Sequence, residues 1–309
     1  MRKFFFLLKL LFLFLKKKKI IQSNYNIGKK TWFGTGGKAK VFFQPECLND
    51  LSLFLKVIPK KILIYVIGSG SNTLVRDGGM SGVVIKLNNG FSDFFYDKKK
   101  KVIKVGGGLK NLTLIKYCLK NSIGNFEFLS GIPGTIGGSL KMNAGCFGQT
   151  ISENLISVDI INRSGECLFF KKEDLKFNYR NTAILSDWII VSAVFSAKKS
   201  NTTKIQHYIN KISTIRKKTQ PISSRTSGST FQNPESYKVW KLIDKVGYRG
   251  KKLGGAQISE KHSNFLINNG NSSSLDIELL GEQVREKVYS ETGIKLDWEI
   301  IRVGKFIKN

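Results

Sequence analysis

The chain has 309 residues, which is long for one hydrophobic core and predicts two or three domains. Its formal net charge is +29, but the lysines lie along the whole chain, so compositional bias explains this charge better than a nucleic-acid surface. The four cysteines lack close pairing and metal-ligand spacing, and only two histidines are present. This composition argues against disulfides and a metal site, and for reduced thiols in the cytoplasm.

Residues 1–29 are predicted to form an apolar and basic N-terminal extension. Residues 4–15 are almost wholly apolar, and lysines follow at 16–19. The run resembles the apolar part of a signal peptide, but no small-residue cleavage site follows it. It is also too short to span a bilayer as a helix. We expect a helix docked on the protein, and a peripheral membrane contact is the alternative. No integral membrane segment is predicted elsewhere.

Residues 30–88 are predicted to form a first small domain. A strand at 41–43 precedes a helix with a leucine stripe, which ends before Pro59. A β-branched run at 62–67 predicts a buried strand, and it leads directly into GSGSNTLVRDGG at 68–79. Small residues and hydroxyl groups after a strand suit a pyrophosphate, although the spacing is not that of the G-x-G-x-x-G dinucleotide motif.

A glycine-rich segment, SGIPGTIGGSLKMNAGCFG at 130–148, dominates the second predicted domain, residues 89–200. Each glycine costs backbone entropy and has no side chain to pack, so neither an ordinary strand nor a helix is expected there. The segment predicts a ligand-binding wall with close backbone approach and available N–H groups. The other elements predicted in this part of the chain are strands at 83–87, 102–105, 158–161, 167–170 and 189–195, and a helix between glycines 106–108 and Gly124.

A polar joint at 197–203 precedes a third, α+β domain, residues 201–309. It starts with a long helix and continues through a hydroxyl- and amide-rich stretch at 223–234. A helix near 237–246, a strand at 264–267 and a last strand at 299–303 are also predicted. A further helix begins at about Leu275, where Ser273 and Asp276 form a capping pair, and it ends at Gly293.

Six stretches, in order, resemble the UDP-N-acetylenolpyruvoylglucosamine reductase family. They are TWFGTGGKA, GSGSNTLVRDGGMSGVVIKL, FEFLSGIPGTIGGSLKMNAGCFG, FNYR, GSTFQNP and GIKLDWEIIRVG, and they cover roughly residues 30–304. The resemblance implies an α+β fold, with a two-part FAD-binding module of the vanillyl-alcohol-oxidase/PCMH type and a C-terminal α+β substrate domain. The short segment between Arg180 and Arg216 resembles the branch that lacks a tyrosine-bearing substrate loop.

The resemblance also implies an activity, the NADPH-dependent reduction of UDP-N-acetylglucosamine-enolpyruvate to UDP-N-acetylmuramate through non-covalent FAD, in peptidoglycan precursor synthesis. By this resemblance, the three catalytic residues of the family correspond to Arg180, Ser229 and Glu299. Hydride goes from the flavin to the β-carbon, Ser229 protonates the α-carbon, and Arg180 and Glu299 stabilise the enolate. These residue types suit that chemistry, because a guanidinium binds an oxyanion and a hydroxyl can donate to a basic carbon.

The other site residues implied by the resemblance bind cofactor or substrate. The FAD-binding positions are Gly68, Ser69, Gly70, Ser71, Asn72, Thr73, Leu74, Gly131, Ile132, Pro133, Gly134, Thr135, Gly137, Gly138, Asn143 and Gly145. The contacts to the UDP-linked sugar are Asn233, Lys217, Gln220, Lys261 and His262, and His262 as a catalytic base is an alternative. A cytoplasmic monomer without nucleic-acid partners is expected.

Two rival functions remain open at this point. A flavin oxidase with a tethered flavin would use Cys146 in the glycine-rich segment, because no histidine precedes His207. A basic nucleic-acid-binding protein would show steeply salt-dependent binding and would lack a yellow cofactor. The visible spectrum of the purified protein separates the second rival from a flavoenzyme.

Overall fold

The computed structural model describes residues 20–307. The docked helix expected within the N-terminal extension falls on residues 1–19 and lies outside the described residues. No helix within residues 20–307 is long and apolar enough to cross a membrane.

The strands and helices of residues 20–307 are numbered in chain order. The strands are β1 (Ile21–Tyr25), β2 (Ala39–Phe43), β3 (Ile64–Val66), β4 (Thr73–Val75), β5 (Met80–Ile85), β6 (Phe94–Asp97), β7 (Val102–Gly106), β8 (Gly145–Cys146), β9 (Gln149–Thr150), β10 (Leu155–Ile161), β11 (Cys167–Lys171), β12 (Ile189–Ser196), β13 (Lys252–Leu253), β14 (Ala256–Ile258), β15 (Leu266–Asn268) and β16 (Ile301–Val303). The α-helices are α1 (Leu48–Val57), α2 (Asn111–Lys120), α3 (Ile136–Lys141), α4 (Thr202–Thr219), α5 (Val239–Lys245) and α6 (Ser274–Thr292).

The chain divides into two compact units, each assembled from separate stretches of sequence. The first unit contains residues 20–25, 40–69 and 82–213, and the second contains residues 26–39, 70–81 and 214–307. The sequence patterns instead predict divisions after residues 29, 88 and 200. The difference arises because short stretches near residues 26–39 and 70–81 group with the C-terminal part of the chain.

A five-stranded antiparallel sheet forms the centre of the first unit, in the order β11-β10-β12-β7-β6. Its central strands β10 and β12 contribute residues to two hydrophobic cores, because their side chains alternate between the two faces of the sheet. Ile103 and Phe195 on the sheet share a hydrophobic core with Leu114 on α2 and Ile136 on α3. This core holds α3, and therefore the glycine-rich segment, against the sheet.

The first unit also contains a four-stranded sheet in the order β1-β2-β5-β3, in which β3 and β5 are parallel. Its core includes Phe43, Ile85 and, from α1, Leu51 and Phe54. Strand β1 lies at an edge of this sheet, although the sequence analysis places these residues in the extension. Non-local pairing with β2 makes this segment a strand, and local sequence does not reveal such pairing.

The second unit packs α5 and α6 with the antiparallel sheet β13-β14-β15. Phe231, Leu242, Ile277 and Val284 belong to its core. Strands β4 and β16 form a separate parallel pair, in which Thr73 lies opposite Ile301. The sequence analysis misses β4, because three residues are too few to show a periodic pattern.

Helix α6 begins and ends as the sequence predicts. The hydroxyl of Ser273 accepts a hydrogen bond from the Asp276 backbone N–H (3.0 Å), and the Asp276 carboxylate accepts one from the Ser273 N–H (2.9 Å). Gly293 follows the last turn with a φ of 69°, in the left-handed region that favours glycine. The capping box and the C-terminal glycine are confirmed.

Candidate active site

The predicted site residues are divided between the two units. The first unit holds Gly68, Ser69, Gly131, Ile132, Pro133, Gly134, Thr135, Gly137, Gly138, Asn143, Gly145 and Arg180. The second unit holds Gly70, Ser71, Asn72, Thr73, Leu74, Lys217, Gln220, Ser229, Asn233, Lys261, His262 and Glu299.

The glycine-rich segment contains a helix, contrary to the expectation from its composition. After the 3₁₀ helix Glu127–Gly131, the chain turns at Gly134 and enters α3 at Ile136. Thr135 caps α3, because its side chain accepts a hydrogen bond from the Gly138 N–H (3.3 Å). Tertiary contacts therefore override the low helix propensity of glycine here.

The first N–H groups of α3 bond within the protein. The N–H groups of Ile136 and Gly137 donate to the carbonyls of Leu109 (2.9 Å) and Gly107 (2.8 Å). The Ser139 N–H donates to the Thr135 carbonyl (2.8 Å). The expectation that these amides are available to a ligand is wrong, because the first two dock α3 on the loop between β7 and α2 and the third bonds within the helix.

Asn111, at the start of α2, organises the same segment and is missed by the sequence analysis. Its side chain is fully buried, and its Nδ2 donates to the Ile132 carbonyl (2.8 Å) and to Ser139 Oγ (2.9 Å). Its backbone N–H donates to the Gly134 carbonyl (3.1 Å). One buried amide thus fixes both ends of the turn before α3. Nothing in the local sequence around Asn111 indicates this role.

Arg180 lies in a tight turn that is bonded to the glycine-rich segment. Asn178 and Asn181 exchange backbone hydrogen bonds across the turn, and Arg180 has a φ of 55°. A non-glycine residue in the left-handed region is uncommon and is often found at functional sites. The Arg180 guanidinium donates to the Gly145 carbonyl (3.1 Å) and stacks over the Tyr179 ring (5.0 Å). The turn and the carbonyl contact restrict where this half-buried cation can point.

Asn143 connects this turn to the glycine-rich segment and also presents a polar atom without a partner. Its Nδ2 donates to the Asn178 carbonyl (2.8 Å), whereas its Oδ1 is buried and has no hydrogen-bond partner among residues 20–307. A buried acceptor without a donor is unfavourable, so a ligand N–H at this point would stabilise the site.

These features of the first unit fit an FAD cofactor. The isoalloxazine ring carries an N–H from which Asn143 Oδ1 can accept a hydrogen bond, and glycine backbone permits close approach of a flat ring. At Gly68, a Cβ atom would lie 2.6 Å from Thr135 Oγ1, so the strand end and the cap of α3 are too close for a larger residue.

In the second unit, the stretch from Gly70 to Leu74 is ordered by its neighbours. Gly70 has a φ of 67°, and its carbonyl accepts a hydrogen bond from the Trp32 N–H (3.0 Å). Thr73 and Leu74 belong to β4, and the Leu74 side chain is fully buried in the core. Any cofactor contact at Leu74 is therefore limited to its backbone, because its side chain faces the core.

Ser229, Glu299 and Asn72 lie on neighbouring backbone segments of the second unit. The Glu299 N–H donates to the carbonyl of Thr230 (2.8 Å), the residue after Ser229. The Asn72 Nδ2 donates to the Glu299 carbonyl (3.0 Å). Both Ser229 and Glu299 are half-buried. Two catalytic candidates that are distant in sequence thus lie on adjacent segments, because Glu299 is hydrogen-bonded to the residue that follows Ser229.

Asn264 supports the segment of Ser229 in a way that the sequence analysis does not identify. Its buried side-chain amide accepts a hydrogen bond from the Phe231 N–H (3.0 Å) and donates to the Phe231 carbonyl (2.9 Å). Its backbone carbonyl accepts from the Thr230 N–H (2.8 Å). The amide therefore satisfies both backbone groups of Phe231 as a neighbouring strand would.

The predicted substrate contacts have mixed surroundings. The Asn233 Oδ1 accepts a hydrogen bond from the N–H of Val239, the first residue of α5 (3.0 Å). The Lys261 ammonium donates to the Lys217 carbonyl (2.5 Å), so the structure brings these two lysines together. The Gln220 Oε1 accepts a hydrogen bond from Arg216 Nε (3.0 Å).

His262 is held as a neutral ring. Burial, followed by the nearby charge of Arg249, lowers the pKa of His262 below its ordinary value of 6.5. Its Nδ1 accepts a hydrogen bond from the Asn264 N–H (3.3 Å), and its ring packs edge-on against Phe265. His262 therefore suits a hydrogen-bonding contact at neutral pH better than a charged one.

Comparison with known proteins defines the class of protein. Residues 39–171 match the FAD binding domain family, and residues 220–303 match the family described as UDP-N-acetylenolpyruvoylglucosamine reductase, C-terminal domain. An FAD-binding module followed by this C-terminal domain defines an FAD-dependent oxidoreductase with an α+β fold, as the sequence motifs predict.

Relatives extend this likeness over most of the chain. The chain is 45% identical over 287 residues to UDP-N-acetylenolpyruvoylglucosamine reductase of Rickettsia typhi, covering 93% of this chain and 96% of the relative. It is 45% identical over 286 residues to the reductase of Orientia tsutsugamushi, covering 92% and 94%. The crystal structure of the Thermus caldophilus reductase superposes with a TM-score of 0.79 at 28% identity, covering 90% of this chain and 97% of that chain. The chain belongs to the UDP-N-acetylenolpyruvoylglucosamine reductase family.

Proposed function

We propose that this protein reduces the enolpyruvyl group of UDP-N-acetylglucosamine-enolpyruvate to give UDP-N-acetylmuramate, with NADPH as reductant, in peptidoglycan precursor synthesis. The observation that carries the proposal is the backbone hydrogen bond from Glu299 to Thr230, the residue after Ser229, inside the domain that matches the reductase family. The names of the relatives support the same substrate class.

Dissociable FAD, when bound, would supply the hydride chemistry that joins oxidation of NADPH to reduction of the enolpyruvyl β-carbon. Arg180 binds the carboxylate of that group through its planar guanidinium and stabilises the negative charge that spreads into it. Its orientation is restricted by the turn and by the contact with the Gly145 carbonyl, so little side-chain freedom is lost on binding.

Ser229 holds the proton that the α-carbon receives, and Glu299 stabilises the enolate beside it. The fixed register between their segments supports a concerted role at one substrate group. Lys217 and Lys261, which are joined by a hydrogen bond, supply cationic groups suited to a nucleotide diphosphate, and Asn233 supplies an amide.

The test separates the two half-reactions of Ser229→Ala by stopped-flow absorbance. Reduction of the flavin by NADPH needs no carbon acid and should keep its wild-type rate. Reoxidation by the enolpyruvyl substrate should slow by about 10²–10⁴-fold, the usual contribution of a positioned general acid. Ser229→Cys should retain part of the rate, because a thiol also donates a proton.

Ser290→Ala is the matched control, since it removes an exposed serine hydroxyl at the end of α6 and should change neither half-reaction. An unchanged second half-reaction in Ser229→Ala would remove Ser229 from the mechanism. A wild-type protein whose reduced flavin is not reoxidised by the enolpyruvyl substrate would refute the proposed function.

A further inference from the structure

Two aromatic side chains join the segments that carry Ser229 and Glu299. Phe231 and Trp298 form an antiparallel bridge, and their rings are 5.0 Å apart between centroids. The Gln232 N–H donates to the Asp297 carbonyl (2.9 Å), which extends the same pairing by one residue. The register between the two segments therefore centres on Phe231 and Trp298.

Trp298 is held in turn by charged side chains. Its indole N–H donates to Glu282 Oε1 on α6 (2.9 Å). Arg302 donates to the same oxygen (2.7 Å), and its guanidinium lies 4.4 Å above the Trp298 ring. Burial alone would raise the pKa of Glu282, but hydrogen bonds from Arg285 and Trp298 lower it below its ordinary value. The Glu282 carboxylate, which accepts the hydrogen bond from the indole N–H, is therefore ionised at neutral pH.

A glycine of α6 provides the space for the indole. A Cβ atom at Gly281 would lie 2.2 Å from the Trp298 Cη2 atom and 2.5 Å from its Cζ2 atom. Alanine is more favourable than glycine inside a helix, so helix stability does not explain this residue. Close approach of the Trp298 ring to the helix backbone does explain it.

We propose that Trp298, seated against Gly281 and bonded to Glu282, is a positioning residue that sets the backbone of Glu299 against that of Ser229. The inference rests on the proposed function, because it assigns those two residues to one reaction. It adds that catalysis depends on how closely α6 approaches Trp298, although Gly281, Glu282 and Trp298 need not touch the substrate.

Gly281→Ala tests the proposal directly. Carbon atoms in contact prefer about 3.5–4.0 Å, so the indole must move by about 1 Å or more to accommodate the new methyl group. A displacement of about 1 Å at positioning elements can cost about 10²-fold in rate. We expect reoxidation by the enolpyruvyl substrate to slow by about that factor, and reduction by NADPH to stay within about twofold of wild type.

Trp298→Phe is the second variant of this experiment, because phenylalanine lacks the outer indole atoms that would meet the Cβ added in Gly281→Ala. Alone, it should slow reoxidation by about tenfold, since the bond to Glu282 is lost. Combined with Gly281→Ala, it should restore part of the lost rate, so that the double variant reoxidises faster than Gly281→Ala. Trp188→Phe is the matched control in the first unit and should leave both half-reactions unchanged.

Thermal melts establish that each variant is folded at the assay temperature, so a loss of rate is not a loss of folded protein. If Gly281→Ala does not fold, an unchanged reoxidation rate in Trp298→Phe overturns the proposal. If it folds, a wild-type reoxidation rate overturns it, as does an equal slowing of both half-reactions. When Ser229→Ala slows reoxidation but Gly281→Ala does not, the positioning role fails and the proposed function stands.

Discussion

Gly138 provides the sharpest test of where the cofactor binds. Among residues 20–307, a Cβ atom there would meet only Thr135 Oγ1, at an ordinary contact distance of 3.4 Å, and the residue is exposed. At the neighbouring Gly137, a Cβ atom would lie 3.0 Å from the Gly107 carbonyl oxygen. Alanine at residue 138 therefore fits the protein alone, whereas alanine at residue 137 crowds its own backbone.

The expected magnitudes follow from these distances. Replacing glycine by alanine inside a helix adds up to about 1 kcal/mol of stability, so Gly138→Ala apoprotein should melt no lower than wild type. If the flavin packs on α3 at this point, the new methyl group occupies its space. Overpacking a close contact costs about 1–3 kcal/mol. That cost corresponds to a rise of about 5- to 140-fold in the Kd for FAD.

The assay is titration of apoprotein with FAD, followed by flavin fluorescence, together with thermal melts without cofactor. Gly137→Ala is the comparison variant and should lower the melting temperature of the apoprotein itself. Gly138→Val should weaken FAD binding more than Gly138→Ala. A folded Gly138→Ala protein with the wild-type Kd for FAD would show that the cofactor does not approach α3 at this residue.

Two further predictions concern the Arg180 guanidinium and the Glu282 carboxylate. Arg180→Lys keeps the charge but loses the planar fork, so turnover should fall by at least about tenfold while flavin content is unchanged; wild-type turnover would exclude a catalytic role. The pKa of Glu282 lies below 4.5, so its contribution to stability is complete above that pH and is lost as the pH falls through the folded-state value. Glu282→Gln should therefore lose less free energy of unfolding than wild type between about pH 6 and pH 3.5, measured by urea denaturation, and parallel losses would contradict this assignment.

In the glycine-rich segment, the functional prediction and the local-structure prediction have different outcomes. Its composition indicates a ligand-binding wall, and the family match supports an FAD-binding module. Composition also predicts that no helix forms, yet α3 forms there because the Gly107 and Leu109 carbonyls accept its first N–H groups. These acceptors come from a loop distant in sequence, so no window around Gly137 contains them.

Features with local causes are predictable from the amino-acid sequence alone. Helix α6 is predictable to its ends because its capping residues lie within one turn of the residues they bond. The six motifs likewise identify the family, because each is contiguous and they occur in order.

The tertiary structure establishes which of these pieces meet. It pairs β4 with β16, bonds Thr230 to Glu299, and leaves the buried Asn143 Oδ1 without a hydrogen-bond partner among residues 20–307. It also explains why residue 281 is glycine, because the Trp298 ring occupies the space that a side chain would take. These features depend on contacts between residues far apart in the chain, and their free energy is set by packing and desolvation that no local pattern records.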